Sequence, residues 1–198
     1  MSGLDGSARY HDIRPRSIEE RVSRIRCCSA AGLASPWVRN YLDQLRQWGR
    51  CGPRDFSKMV PVGYYTIAHL VRYTPDPPGR DLFKSLEVVR LEAQKYGRGF
   101  GDCGTFTACL ETVFSAWGFE CGEELFAQGP GWDHVALRVR APGVGSIILD
   151  ASVRPIKPPG WEPPATKYHA RKTLWLRNPQ EWVDWWNRGA RNEEMPAV

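Results

Sequence analysis

The sequence predicts an α+β protein in which a cysteine-bearing helix packs on a small antiparallel sheet, with further helices ahead of it. Two observations carry that prediction. From Cys103, the residues Phe106, Leu110, Val113, Phe114 and Trp117 recur at helical spacing and define one buried face. After Gly118 the apolar period changes from 3.6 to 2, and Val135, Leu137 and Val139 alternate with His134, Ala136 and Arg138 as in a half-buried strand.

In chain order, 1–16 reads as a polar tail that is loose or docked. Ser17 followed by Glu20 fits a capping box, and Ile18, Val22 and Ile25 give a first helix to about Cys28. Residues 30–35 read as a turn. Ser35 as N-cap and Pro36 at the first helical position then open a second helix, which Gly49 closes. The two make a helical hairpin that must pack on something else, since short helices are marginal alone. Residues 50–62 are expected to be a connector, and 63–73 a helix. Pro75, Pro77 and Pro78 force an extended or turned segment, and 81–96 is expected to be helical.

Beyond the Cys103 helix, 119–128 is an expected strand and Gly129-Pro130-Gly131 a turn. Residues 134–140 and 146–150 form a hairpin about Gly143. The chain thus divides into a tail (1–16), a helical hairpin with connector (17–62), a core (63–153) and a Pro- and Trp-rich extension (154–198). In that extension 154–164 is an extended surface segment, 167–175 an edge strand and 179–188 a short helix.

Composition restricts function. The chain of 198 residues carries a formal net charge of +5, but its basic residues are scattered, so nucleic acid is not the expected partner. No apolar run is long enough to span a membrane, the N-terminus lacks the apolar core of a secretory signal, and the cytoplasm is the default compartment. The six cysteines show no C-x-x-C spacing and are expected to be free thiols, with no structural metal and no cofactor.

Cys103 is expected in the first turn of its helix, where unpaired N–H groups and the macrodipole favour a thiolate. The plain alternative is one more buried cysteine, as expected for Cys109 and Cys121. A nucleophilic thiol needs a base, and that base an orienting group. If the hairpin closes about Gly143, Arg140 faces Ser146 and Arg138 faces Ile148. His134 and Asp150 then become same-face diagonal neighbours about 7–8 Å apart at the backbone. His11, His69 and His169 lack such a setting. Asp102 and Asp133 read as capping and loop acids.

Gly101-Asp102-Cys103, His134-Val135 and Leu149-Asp150 together resemble the transglutaminase-like cysteine peptidase superfamily, which is related in fold to papain-like proteases. The segment 71–77 resembles one preceding the cysteine in a bacterial and bacteriophage branch. Gly104-Thr105 and Ala151 depart from the acidic residues and the proline often found there. The resemblance implies acyl transfer at an amide carbonyl by Cys103, His134 and Asp150. The Cys103 N–H would be one oxyanion donor, and an unplaced upstream side chain the other. A peptide or protein would be the substrate, and hydrolysis is the default over crosslinking. The alternative is a phage virion or morphogenesis protein that keeps the fold with little turnover, partnered by phage structural proteins.

Overall fold

The computed structural model describes residues 10–13, 17–129, 131–176 and 178–188. The order is β1 (Tyr10–Ile13), α1 (Ile18–Ala34), α2 (Pro36–Trp48), α3 (Phe56–Leu70), β2 (Val71–Tyr73) and β3 (Asp81–Lys84). There follow α4 (Leu86–Tyr96), β4 (Gly99–Gly101), α5 (Cys103–Ala116), β5 (Glu120–Ala127), β6 (His134–Ala141), β7 (Gly145–Leu149), β8 (Ala170–Trp175) and α6 (Pro179–Asn187). Helices and small sheets are mixed, as the α+β expectation requires.

Helix α5 is central. Its predicted apolar face, Phe106 to Trp117, is buried against α2, α3 and the inner face of a four-stranded sheet ordered β7-β6-β5-β8. Strand β5 is covered on both faces, so the break in alternation at Phe126 marks a strand inside the fold. The hairpin register is as expected, with Arg140 opposite Ser146 and Arg138 opposite Ile148. β8 adds the edge strand on β5.

Four expectations about elements are corrected. The first helix does not stop near Cys28. It runs to Ala34 through the small, buried residues 30–32, and Gly32 packs on α5, where a Cβ would come within 2.7 Å of Thr112 Cγ2. The connector at 50–62 is helical from Phe56, so α3 crosses 62 and 63 with Pro61 inside it. Gly63 lets α3 approach Val113, Phe114 and Trp117 closely. That helix stops at Leu70, and 71–73 form β2, parallel to β4. Residues 81–84 are a strand rather than the first turn of a helix, because β1 pairs with them. The turn at Pro130 and the side chains of Trp185 and Trp186 lie outside the described residues. Trp182 is buried against Cys27 and Ala30 of α1, which docks α6.

Among the described residues no helix is long and apolar enough to cross a membrane, and no cluster of three or more His, Cys, Asp or Glu is placed to hold a metal. Among the described residues the six cysteines form no disulfide.

Candidate active site

The turn into α5 is built from its own sequence. Asp102 is the N-cap, in extended conformation, and its Oδ1 accepts from the Thr105 N–H at 3.2 Å. Thr105 Oγ1 donates to the Leu82 carbonyl at 3.0 Å, which fastens the helix start to β3. A Cβ on Gly101 would lie 2.4 Å from Thr105 Cβ, and one on Gly104 would lie 2.8 Å from Phe83. Both glycines are therefore required by space. At 104, Phe83 occupies the volume a side chain would need.

Cys103 stands at the first helical position, half-buried, with Sγ 3.8 Å from Asp102 Oδ2. The sulfur also lies near the backbone N–H of Val135, directly after His134. Burial pushes the Cys103 thiol well up, and the Asp102 carboxylate adds to that. This corrects the expectation of a lowered thiol pKa at the helix start. Desolvation and a neighbouring acid outweigh the dipole here, and the resting group is a thiol.

His134 opens β6, and Asp150 follows directly on β7. His134 Nε2 and Asp150 Oδ2 are 2.6 Å apart. The backbone N–H and hydroxyl of Ser152 both donate to Asp150 Oδ1, at 3.2 and 2.7 Å. Burial opposes the Asp150 charge, but the hydrogen bonds from His134 and Ser152 win and hold its carboxyl below the usual carboxylate range. Tyr168 stacks on the imidazole at 6.5 Å between ring centres, and Phe126 packs beside it at 5.8 Å. Tyr64 Oη lies 2.9 Å from the carbonyl of Asp150 and 2.7 Å from that of Lys157, and its single proton is shared between them. That bond ties the Pro-rich segment to the strand end. With Nε2 committed to Asp150, Nδ1 remains as the second ring nitrogen, and His134 and Cys103 line one cavity.

All three predicted site residues are thus brought into one region. Asp102 and Asp133 act as read from sequence: Asp133 Oδ2 accepts from the N–H groups of Gln128 and Gly129 at 2.7 and 3.0 Å. His69 lies apart, stacked on Tyr65.

Other residues of the site were not legible beforehand. Asp76 accepts from the Leu82 N–H at 2.6 Å and shares a hydrogen bond with Asp102, whose carboxyl is pushed up to about 7 by burial and by Asp76. Tyr73 pairs with Gly101 across the β2–β4 ladder. Burial raises its phenol, and so does the neighbouring Cys103. Ser152 and Arg21 complete the group. Comparison with known proteins finds no family model, no curated protein and no solved structure that matches the chain.

Proposed function

We propose that this protein carries out thiol-dependent acyl transfer at an amide bond, with hydrolysis as the default outcome, on a papain- or transglutaminase-like arrangement of helix and sheet. The carrying observation is the 2.6 Å pairing of His134 with a doubly anchored Asp150, at a cavity that Cys103 also lines. Because the resting group is a thiol, His134 takes its proton as sulfur attacks the carbonyl carbon. The new C–S bond forms, the tetrahedral adduct collapses, and the C–N bond breaks as the amine leaves with that proton. Water then cleaves the thioester, with His134 acting again as base. The Cys103 N–H is one oxyanion donor. The Tyr73 phenol, upstream in sequence and beside the thiol, is our assignment for the second.

The substrate is a peptide or protein amide. The cytoplasm of a bacterial host is the compartment this reading fits, because thiols are kept reduced there. The test is alkylation by iodoacetamide at neutral pH, read peptide by peptide. Cys103 should react faster than partly exposed Cys51, His134→Ala should slow Cys103 alone, and Cys103→Ala should abolish amide hydrolysis with the fold retained. Equal labelling of both thiols, insensitive to His134, overturns the assignment.

A second reading is a phage virion or morphogenesis component that has kept the architecture without turnover. The raised Cys103 thiol favours it. On that reading Cys103→Ala leaves the biological role intact.

A further inference from the structure

The cavity shared by Cys103 and His134 is small. It measures about 80 Å³, roughly half of the ~150 Å³ known to hold one benzene and far below the ~300–1,000 Å³ of ordinary ligand pockets. Its lining draws on α1, an element well ahead of the core in sequence: Ile18, Arg21 and Ile25 join Phe83, Leu125 and Trp132 there. Arg21 is held at two points. Its Nε lies 2.9 Å from Asp81 Oδ2 on β3, and its Nη1 donates to the Trp132 carbonyl at 2.8 Å, in the loop before β6. One guanidinium therefore spans α1, β3 and that loop. Beyond it opens a wider groove of about 470 Å³, which has Ile18, Arg21, Asp81, Trp132 and Asp133 in common with the inner cavity. Arg21 is one of the residues that line both spaces, and it is bonded to β3 and to the loop before β6 at once.

We propose that Arg21 is a specificity-determining residue of this site. It limits the group that reaches Cys103 to an acyl unit with a side chain no larger than that of glycine or alanine, while the remainder of a peptide substrate lies in the outer groove. The charge-assisted bonds to Asp81 and Trp132 fix the guanidinium in a planar, two-point geometry that lysine does not reproduce. Arg21 directs its bonds to Asp81 and the Trp132 carbonyl and not to the thiol or the imidazole, so its effect is on size and not on the chemical step. The chemistry of the substrate rests on the acyl-transfer reading. The size limit does not.

The test uses two alkylating probes of the same reactive group, iodoacetamide and the bulkier iodoacetanilide, at alkaline pH where thiol ionisation does not need His134. Rates at the Cys103 peptide are compared with those of free cysteine. The intact protein is expected to discriminate against the larger probe by more than about tenfold, the range in which a pocket rejects a few excess carbons. Arg21→Ala should bring that ratio close to the value for free cysteine, and Asp81→Asn, which loosens the same anchor from β3, should give an intermediate ratio. Equal discrimination in all variants overturns the proposal, as does its absence from the intact protein or a Cys103 inert to both probes throughout. Size selection without amide hydrolysis leaves the Arg21 size limit standing and removes the enzyme reading instead.

Discussion

Asp150 holds His134 through one oxygen and is itself held through the other. Oδ2 sits 2.6 Å from His134 Nε2, and Oδ1 receives both the N–H and the hydroxyl of Ser152. A buried carboxylate with its lone pairs so occupied is fixed in position and kept ionised, which is what an imidazole needs to hold one tautomer and then carry a proton. The strand register brings the pair together, and Ser152, two residues further on, locks it.

Ser152→Ala should therefore alter the pH dependence more than the maximum rate. Asp150 lies below the usual carboxylate range because these bonds favour its charged form. Removing one raises its pKa, so the acidic limb of kcat/KM moves to higher pH. Asp150→Asn should go further and lower kcat by about 10²–10⁴-fold, since the imidazole loses its orienting charge. An unmoved acidic limb in Ser152→Ala would show that Asp150 does not govern it.

Asp102 opposes the thiolate and caps the helix at once, and substitution separates these roles. Asparagine caps about as well as aspartate, so Asp102→Asn should keep α5 intact. With its carboxyl pushed up to about 7, Asp102 is charged above neutrality and raises the Cys103 thiol there. The variant should ionise Cys103 at lower pH, seen as an earlier rise in alkylation rate. A charge raised on folding is also destabilising once formed. Unfolding free energy should then fall for the parent as pH rises from about 4 to about 7, and fall less for Asp102→Asn.

Tyr73→Phe isolates a single hydroxyl. If that group meets the developing oxyanion, kcat should drop by about 10²–10³-fold with KM little changed, because the bond matters only in the transition state. Alkylation of Cys103, which forms no oxyanion, should be nearly unaffected. A parallel loss in both measurements would mean that Tyr73 acts by packing.

The legible parts of the site share one property: local pattern and one short hairpin determine them. The spacing from Phe106 to Trp117 fixed where α5 lies, and the Gly143 turn fixed which residues face each other, so Cys103, His134 and Asp150 could be aligned on paper. Tyr73 and Arg21 could not, because their positions depend on a parallel β2–β4 ladder and on α1 crossing the cavity, which are contacts between distant segments. The misread elements fail for the same reason. Leu82 and Leu86 fit a helix face, yet 81–84 take β1 as partner, so tertiary pairing overrides the local period. Ala30, Ala31 and Gly32 looked like a turn because small residues carry no apolar signal. In the fold they are buried, Ala30 against Trp182 of α6 and Gly32 where α1 lies close on Thr112 of α5.

The last prediction concerns a buried acid remote from catalysis. Glu111 is fully buried on α5, and its Oε1 has no hydrogen-bond partner among the described residues. Its Oε2 lies 2.6 Å from Ser29 Oγ, which is also 3.1 Å from the Ala108 carbonyl. The hydroxyl has one proton. If Ser29 donates it to Ala108, Glu111 must donate to Ser29, and so must be protonated. The electrostatics agree: burial first, then the Glu123 charge, push Glu111 up to about 8. Glu123 has the only arginine of this cluster, Arg26, which grips both its oxygens at 2.9 and 2.8 Å. The native state thus keeps a proton that the unfolded chain gives up near pH 4–5. Stability should decline with rising pH by up to about 1.4 kcal/mol per unit between roughly pH 5 and 8 on account of this group. Glu111→Gln preserves the donor to Ser29 without a titrating proton, so it should flatten that slope in chemical denaturation and leave Cys103 reactivity alone. By contrast, Arg26→Ala strands two acids in the core and should cost about 3–5 kcal/mol. A Glu111→Gln variant with the parental slope would place the proton elsewhere.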